Sequence, residues 1–505
     1  MSVMEASLSD EQKYAFELFK EGNNLFISGP GGVGKSYLIE KMVEYASTKN
    51  LNISVTALTG CAAVLLGTKA RTIHAWSGIN FMSNSTDDEL IIRRIARAKD
   101  KAGRWKKCDI LIVDEVSMMP VRMFNILNAI GQTTRRSPKP FGGIQVIFTG
   151  DFYQLPPVCP HEETQFCFES SEWYNTFPLE NHIELRTFFR QTDPEFIKIL
   201  MEVRSGELKP DSIERLISLV GKEKPSDDEC FITKIFPTRS KVDTTNRLMF
   251  DRLKGDIRVF HSVKNTDEIY YYITSGREDQ ILIEPEILLK CDELPAEMKK
   301  REVDSLIPNY NIIEELSLKV GALVMLTVNI DVERGLCNGS QGIIEGFEAI
   351  TGFPIVRFTN RLVRTVKPNV YQSAEFPRFT VTQVPLCLAW SLTIHKTQGA
   401  TLSQIEVDIG SSVFEYGQTY VAISRVKTLN GLYLTNFDPK KIRANPKVKA
   451  FYLKTRSNGS QYRSSNIETV NDPEEVDVDE SNDGRAEEVN KIVELVDDVK
   501  IIKLR

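Results

Sequence analysis

Residues 29–36 read Gly-Pro-Gly-Gly-Val-Gly-Lys-Ser. They follow the short apolar run LFIS (25–28) and precede a stretch with helical apolar spacing through Leu38, Ile39, Met42 and Val43. Few arrangements constrain a chain as tightly as a buried strand, a glycine-rich turn ending in lysine and a hydroxyl, and then a helix. Glycines let backbone N–H groups turn inward onto phosphate oxygens, and the helix aims its positive end at the same anion. Gly29, Pro30, Gly31, Gly32, Val33, Gly34, Lys35 and Ser36 are therefore the candidate cradle of a nucleoside triphosphate. Lys35 is placed to reach the β- and γ-phosphates, and the Ser36 hydroxyl to ligate Mg²⁺.

Three further strands are expected at ISVTAL (53–58), DILIVDE (109–115) and IQVIFTGD (144–151). Each is apolar on both faces and alternates with helical segments, the pattern of a parallel sheet covered by helices. Polar residues gather at the carboxyl ends of these strands, where open α/β sheets bind ligands. Asp114 and Glu115 close the third of them. An aspartate there holds Mg²⁺ through water, and a glutamate polarises the attacking water. Phosphoryl transfer also needs positive charge against the γ-phosphate. Arg190 in FFRQ and Arg425 in ISRV are the candidates, both in the second half of the chain. Catalysis would then require two halves to close on the nucleotide.

That second half begins after about residue 186, with FITKIFPTR (231–239), LCLAWSLTIHKTQGATL (386–402) and QTYVAISRV (418–426) as its parts. Between them, residues 321–384 change to short β-type runs separated by Gly, Asn and Pro, as a small inserted β-barrel would. Residues 82–107 are another distinct, basic insertion. The eight cysteines form no C-x-x-C pair. Cys159, His161 and Cys167 lie close together without a fourth ligand at zinc spacing, so they read as plain thiols and a histidine. Scattered cysteines fit a reducing compartment. The N-terminus lacks a signal-peptide pattern, and no apolar run approaches the roughly 18 residues of a membrane helix. These features argue against membrane and secreted classes, and the expected compartment is the cytoplasm, with a nuclear or viral replication site as alternatives.

The ordered set LSDEQ (8–12), GPGGVGKS, TALTGCAA (56–63), RTIHAWSGI (71–79), DEVSM (114–118), GDFYQLPPV (150–158), LRTFFRQ (185–191), FPTR (236–239), NGSQG (338–342), SLTIHKTQGATL (391–402) and YVAISRV (420–426) resembles the superfamily 1 helicases. The nearest branch is the Pif-type, superfamily 1B, DNA helicases, with RecD-like enzymes next. The resemblance implies two RecA-like P-loop domains, the first over 1–185 with a wedge-like insert at about 78–107. It implies a second domain over 186–320 and 385–440, interrupted by the barrel, and a C-terminal extension over 441–505.

It further implies that Gln12 reads adenine, that Gln154 senses the γ-phosphate, and that Arg190 and Arg425 are arginine fingers. Thr59, Thr72 and His74 would contact the backbone of a single strand from the first domain. Thr238, His395, Lys396 and Thr397 would do so from the second, with Gln398 and Gly399 linking that groove to the nucleotide. Trp76 and Phe81 are candidate stacking faces for bases. The implied activity is ATP- and Mg²⁺-dependent 5′-to-3′ movement on single-stranded DNA with unwinding of forked duplex by a monomeric motor. An RNA or RNA–DNA hybrid helicase, a translocase without strand separation and a non-catalytic scaffold are the competing readings.

Taken over the whole chain, the net charge of −6 opposes nucleic-acid binding. Residues 466–505, however, carry 13 acids and 5 bases without an aromatic; residues 457–490 read as a disordered tail, and the closing VNKIVELVDDVKIIKLR is apolar enough for a terminal helix that engages a protein partner. The remainder holds 56 acids and 58 bases, so the motor itself is close to neutral, with basic character concentrated at 93–107.

Overall fold

The computed structural model describes residues 8–66, 70–79, 87–157, 165–224, 232–266, 291, 293–310, 312–331, 334–373, 376, 378–397, 400–410 and 413–458. The first sheet is built from β1 (Leu25–Ser28), β2 (Ile53–Ala57), β3 (Arg71–Thr72), β4 (Ile110–Asp114), β5 (Gln145–Gly150) and β6 (His182–Glu184), in the order β3-β2-β4-β5-β1-β6. Every pairing in it is parallel. β1 and β4 are buried at every residue, as apolar runs sandwiched between helices must be. Helices α1 (Asp10–Lys20) and α2 (Lys35–Thr48) cover one face of this sheet. α1 is fixed at its start by a capping box between Ser9 and Gln12.

The basic insertion forms two helices, α5 (Asp88–Arg97) and α6 (Lys99–Lys107), after the short α3 (Gly60–Leu65) and α4 (Ile73–Ser77). Ile91, Ile95, Ala102 and Trp105 are buried. Trp105 lies 4.7 Å from Trp76, and both indoles are core residues. The expectation that Trp76 offers a stacking face is thus corrected: it is 1% exposed, at the heart of the first domain. Phe81 lies outside the described residues. Two of the basic side chains are spent locally, Lys101 on the Gly78 carbonyl and Arg104 on the carbonyls of Ala75 and Trp76.

The second parallel sheet has the order β18-β7-β19-β20, from β7 (Ile232–Phe236), β18 (Ser391–Thr393), β19 (Gln404–Ile409) and β20 (Leu432–Phe437). Where the inserted β-barrel is expected, β11 (Leu323–Leu326), β12 (Gln341–Phe347), β13 (Pro354–Phe358), β14 (Val363–Thr365) and β17 (Leu386–Leu388) form an antiparallel sheet in the order β14-β13-β12-β11-β17. Its boundary differs from the expected 321–384. β8 (Arg258–His261) pairs with β10 (Glu315–Leu318), and β9 (Val263–Asn265) pairs with β16 (Thr380–Gln383). These two strands are mostly exposed and polar, so no apolar alternation marks them.

The C-terminal boundary also moves. Pro446–Asn458 is a helix, and its Val448, Phe451 and Tyr452 complete the first domain's core, so residues 441–458 are part of the folded body. The tail expected beyond them lies outside the described residues, as do Cys159 and His161. Among the described residues no helix is long and apolar enough to cross a membrane, and no three His, Cys, Asp or Glu side chains gather as a metal cluster.

Candidate nucleotide site and nucleic-acid groove

The strand β1 ends where the glycine-rich turn begins, and α2 starts at Lys35. Gly32 has φ +96°, and a Cβ there would meet the Arg190 Cβ at 2.7 Å, so the turn can only pass beneath Arg190 as glycine. The Lys35 ammonium donates to the carbonyls of Gly29 (2.7 Å) and Pro30 (2.9 Å). Burial lowers its pKa, opposed by the nearby charges of Asp151, Glu115 and Asp114. Ser36 is exposed at the start of α2, on the open side of the turn.

Asp114 ends β4 and is buried. Its carboxylate accepts the Thr149 hydroxyl and the Glu115 backbone N–H (2.9 Å). Burial raises its pKa, while these donors and Lys35 pull the other way. Glu115 adopts φ +57°, a left-handed conformation that a non-glycine residue holds only when its surroundings impose it. Gln154 sits in the turn after β5 with its side-chain oxygen buried and without a hydrogen-bond partner among the described residues. An acceptor in that condition costs stability, and a functional role is one reason such a group is retained.

Both arginines lie against this turn, Arg190 from the loop that follows β6, with its backbone N–H on the Gly32 carbonyl (3.3 Å), and Arg425 from just beyond the helix Gln418–Ile423. Arg425 is 2% exposed and is held by the carbonyls of Val421 (2.9 Å) and Thr397 (3.4 Å) and by the Ser424 hydroxyl (2.8 Å). Arg190 donates to the Ser424 carbonyl at 3.2 Å. A Cβ on Gly31 would lie 3.4 Å from Arg425 Nη2 and 3.7 Å from Arg190 Nη1. Burial and the neighbouring Arg425 push the Arg190 guanidinium down to about 9, and burial lowers Arg425 as well. Two desolvated cations crowded against the glycine-rich turn form a candidate site for concentrated negative charge.

Gln12 departs from its expected role. It is fully buried, with its amide donating to the carbonyls of Val33 (3.4 Å) and Gly34 (3.2 Å) and its oxygen accepting the Ser9 N–H (3.0 Å). Its hydrogen-bonding groups brace the turn instead of facing a base.

The expected groove residues divide. Thr59 and Thr72 follow or end the neighbouring strands β2 and β3, but their hydroxyls accept N–H groups of Ala62 (3.2 Å) and Ala75 (3.3 Å) as helix caps. Thr72 is buried, and His74 is largely so, which lowers its pKa. Thr397 is wholly buried, with its hydroxyl on the Ile394 carbonyl (2.8 Å) and its own carbonyl under Arg425. Thr397 thus faces inward beneath Arg425, where the expected strand contact would need it exposed. Thr238 and Lys396 are exposed beyond the adjacent strand ends of β7 and β18, open to a backbone phosphate. His395 shares that turn, and Gln398 and Gly399 lie outside the described residues.

Two residues at the site escaped sequence reasoning. Gln191 is buried and clasps the carbonyls of Ser424 (3.2 Å) and Val426 (3.1 Å) across the cleft. Tyr420 accepts the Gly31 N–H at 2.9 Å. Their place beside the two arginines in FFRQ and YVAISRV was the available signal.

The PIF1-like helicase profile matches residues 7–213, and that of the DNA helicase Pif1 2B domain matches 305–347. The chain is similar to the ATP-dependent DNA helicase PIF1 of Xenopus laevis, 34% identical over 88% of this chain and 64% of that protein. It spans a little under two thirds of that relative's length. The crystal structure of Pif1 helicase from Candida albicans is 32% identical, with a TM-score of 0.67, over 88% of this chain and 99% of that one. A Bacteroides Pif1 solved bound to single-stranded DNA is 27% identical, with a TM-score of 0.58, over 90% of this chain and 98% of that one.

Proposed function

Because this chain belongs to the PIF1-like helicase family, we propose that it hydrolyses ATP to move 5′ to 3′ along single-stranded DNA and to open forked duplexes. The observation that carries this reading is the meeting at Gly31 of Lys35, Asp114, Glu115 and Arg190, all set around the first parallel sheet, with Arg425 from the far side of the cleft. Glu115 orients the attacking water as general base. Lys35, Arg190 and Arg425 neutralise the charge that develops on the transferred phosphoryl group. The hard oxygens of Ser36 and Asp114 suit Mg²⁺, which supplies charge neutralisation at the phosphates when bound. Opening and closing of the cleft then alternates the grip of the Thr238 and Lys396 side with that of the Thr59 side. Relatives solved with single-stranded DNA and with forked duplex support DNA as the polymer. The motor works as a monomer, in the compartment that holds its DNA, with the acidic tail free for a protein partner.

The test is strand separation of 5′-tailed and 3′-tailed duplexes with and without ATP. Separation of the 5′-tailed duplex alone, lost in Lys35→Ala, is expected. ATP turnover stimulated by RNA and not by DNA, or unwinding only from a 3′ tail, defeats the proposal.

A further inference from the structure

The helix Gln418–Ile423 presents one face to the nucleotide site. Gly417, Tyr420, Val421, Ser424 and Arg425 recur at the three- and four-residue spacing that aligns helical side chains. Each end of this face meets the first domain. At Gly417, with φ +74°, a Cβ would stand 2.4 Å from the Gln154 carbonyl oxygen and 2.6 Å from that of Tyr153, both immovable backbone atoms. At the other end Arg425 reaches the glycine-rich turn. Between them, the Tyr420 hydroxyl accepts the Gly31 N–H at 2.9 Å, across 389 residues of sequence. Tyr420 is 3% exposed, and burial pushes its phenol well above the ordinary range, so it stays protonated and neutral.

We propose that Tyr420 is a positioning residue for the arginine finger. Its hydroxyl pins the helix to the Gly31 amide, so that Arg425, just over one turn onward, is held at the position of the γ-phosphate. Gly417 allows the close approach that lets this bond form. The contact joins two residues of opposite halves, so it exists only while the cleft is closed. Closure therefore assembles the finger through a backbone amide, in addition to any attraction the nucleotide exerts. This inference rests on the reading of Arg425 as a finger.

The experiment measures DNA-stimulated ATPase of the full chain as wild type, Tyr420→Phe, Arg425→Ala and the double variant, with the thermal midpoint of each. One neutral hydrogen bond is worth about a five-fold rate change. Tyr420→Phe should lower kcat about that much, with KM for ATP and the thermal midpoint little changed. The double variant should turn over no slower than Arg425→Ala alone, because a finger that is absent needs no positioning. An impaired Arg425→Ala beside a full-speed Tyr420→Phe overturns the docking role alone. So does a Tyr420 loss that multiplies onto the Arg425 loss or comes with a lowered thermal midpoint, either of which marks plain packing. Arg425→Ala at wild-type kcat removes the finger reading and this inference with it.

Discussion

Arg204 donates through Nε and Nη2 to both carboxylate oxygens of Asp151, at 3.0 and 2.9 Å, in an ion pair almost wholly closed to solvent. Asp151 opens the turn that carries Gln154, while Arg204 belongs to the helix Pro194–Ser205. The guanidinium lies over the rings of Tyr153 and Tyr452, which stack 4.9 Å apart. Burial alone would lower the Arg204 pKa, but Asp151 and Glu184 outweigh it and raise it well above the usual value. Tyr452 brings the C-terminal helix into the same knot by accepting the Phe152 N–H at 3.2 Å.

Arg204→Ala would strand the Asp151 carboxylate in the interior. Breaking one side of a buried pair costs about 3–5 kcal/mol. The denaturant midpoint of the variant should fall accordingly, and Asp151→Asn in the same background should recover much of the loss, since a neutral amide needs no counter-ion. A midpoint within experimental scatter of wild type would show that the pair does not hold this region together.

Two neighbouring groups make the same region acid-sensitive. His182 is packed among Phe26, Trp173 and Phe451, neither ring nitrogen has a hydrogen-bond partner among the described residues, and burial, with Lys454 nearby, holds its pKa at about 3. Its folded pKa lies below the unfolded value near 6.5, so the stability it supports is intact above pH 6.5 and drains away as pH falls toward 3. Glu184 is also depressed, to about 2: burial opposes this, but Arg204 and Arg456 prevail. Its contribution is intact above about pH 4.5 and is lost as pH falls toward 2. His182→Phe should therefore flatten stability against pH between 6.5 and 4.5. Arg456→Gln, which removes a two-pronged bond to Glu184 at 2.9 and 3.1 Å, should move acid unfolding to higher pH. Acid-unfolding curves identical to wild type in both variants would refute the assignment.

Removing the acidic tail by ending the chain near residue 465 should leave ATPase activity intact and tighten DNA binding at low salt, because 13 acids leave with it. Ending it before Pro446 is a different operation. It strips Val448, Phe451 and Tyr452 from the first core, each worth about 1.5–3 kcal/mol of burial, and it removes the Glu184–Arg456 pair. That shorter chain should aggregate or lose ATPase activity. Equal activity of the two truncations would show that the helix is dispensable.

Much of the first parallel sheet was legible because its strands are short apolar runs ending in polar residues. LFIS is β1 residue for residue, and ILIVD is β4. The place of Asp114 and Glu115 follows from the same rule, being acids at a strand's carboxyl end. What stayed hidden was set by contacts between distant residues. Nothing local tells that Thr397 turns inward beneath Arg425, or that the Thr72 hydroxyl accepts the Ala75 N–H as a helix cap. The apolar residues of 446–458 look like an ordinary amphipathic end until the first domain supplies the surface they cover.

Gln12 is the sharpest such case, because the family pattern and the geometry assign it different work. Reading adenine requires both ends of its amide to face a base. Here the nitrogen is engaged by Val33 and Gly34 and the oxygen by Ser9, which ties α1 to the phosphate-binding turn. A brace acts on the phosphates that every nucleotide shares. Gln12→Ala should therefore raise KM for ATP and for GTP by the same factor, about five-fold per hydrogen bond lost, and leave the preference between them unchanged. Parallel titrations of ATPase and GTPase activity decide the matter. A rise confined to ATP would return Gln12 to the base and show that nucleotide binding turns its amide away from the loop.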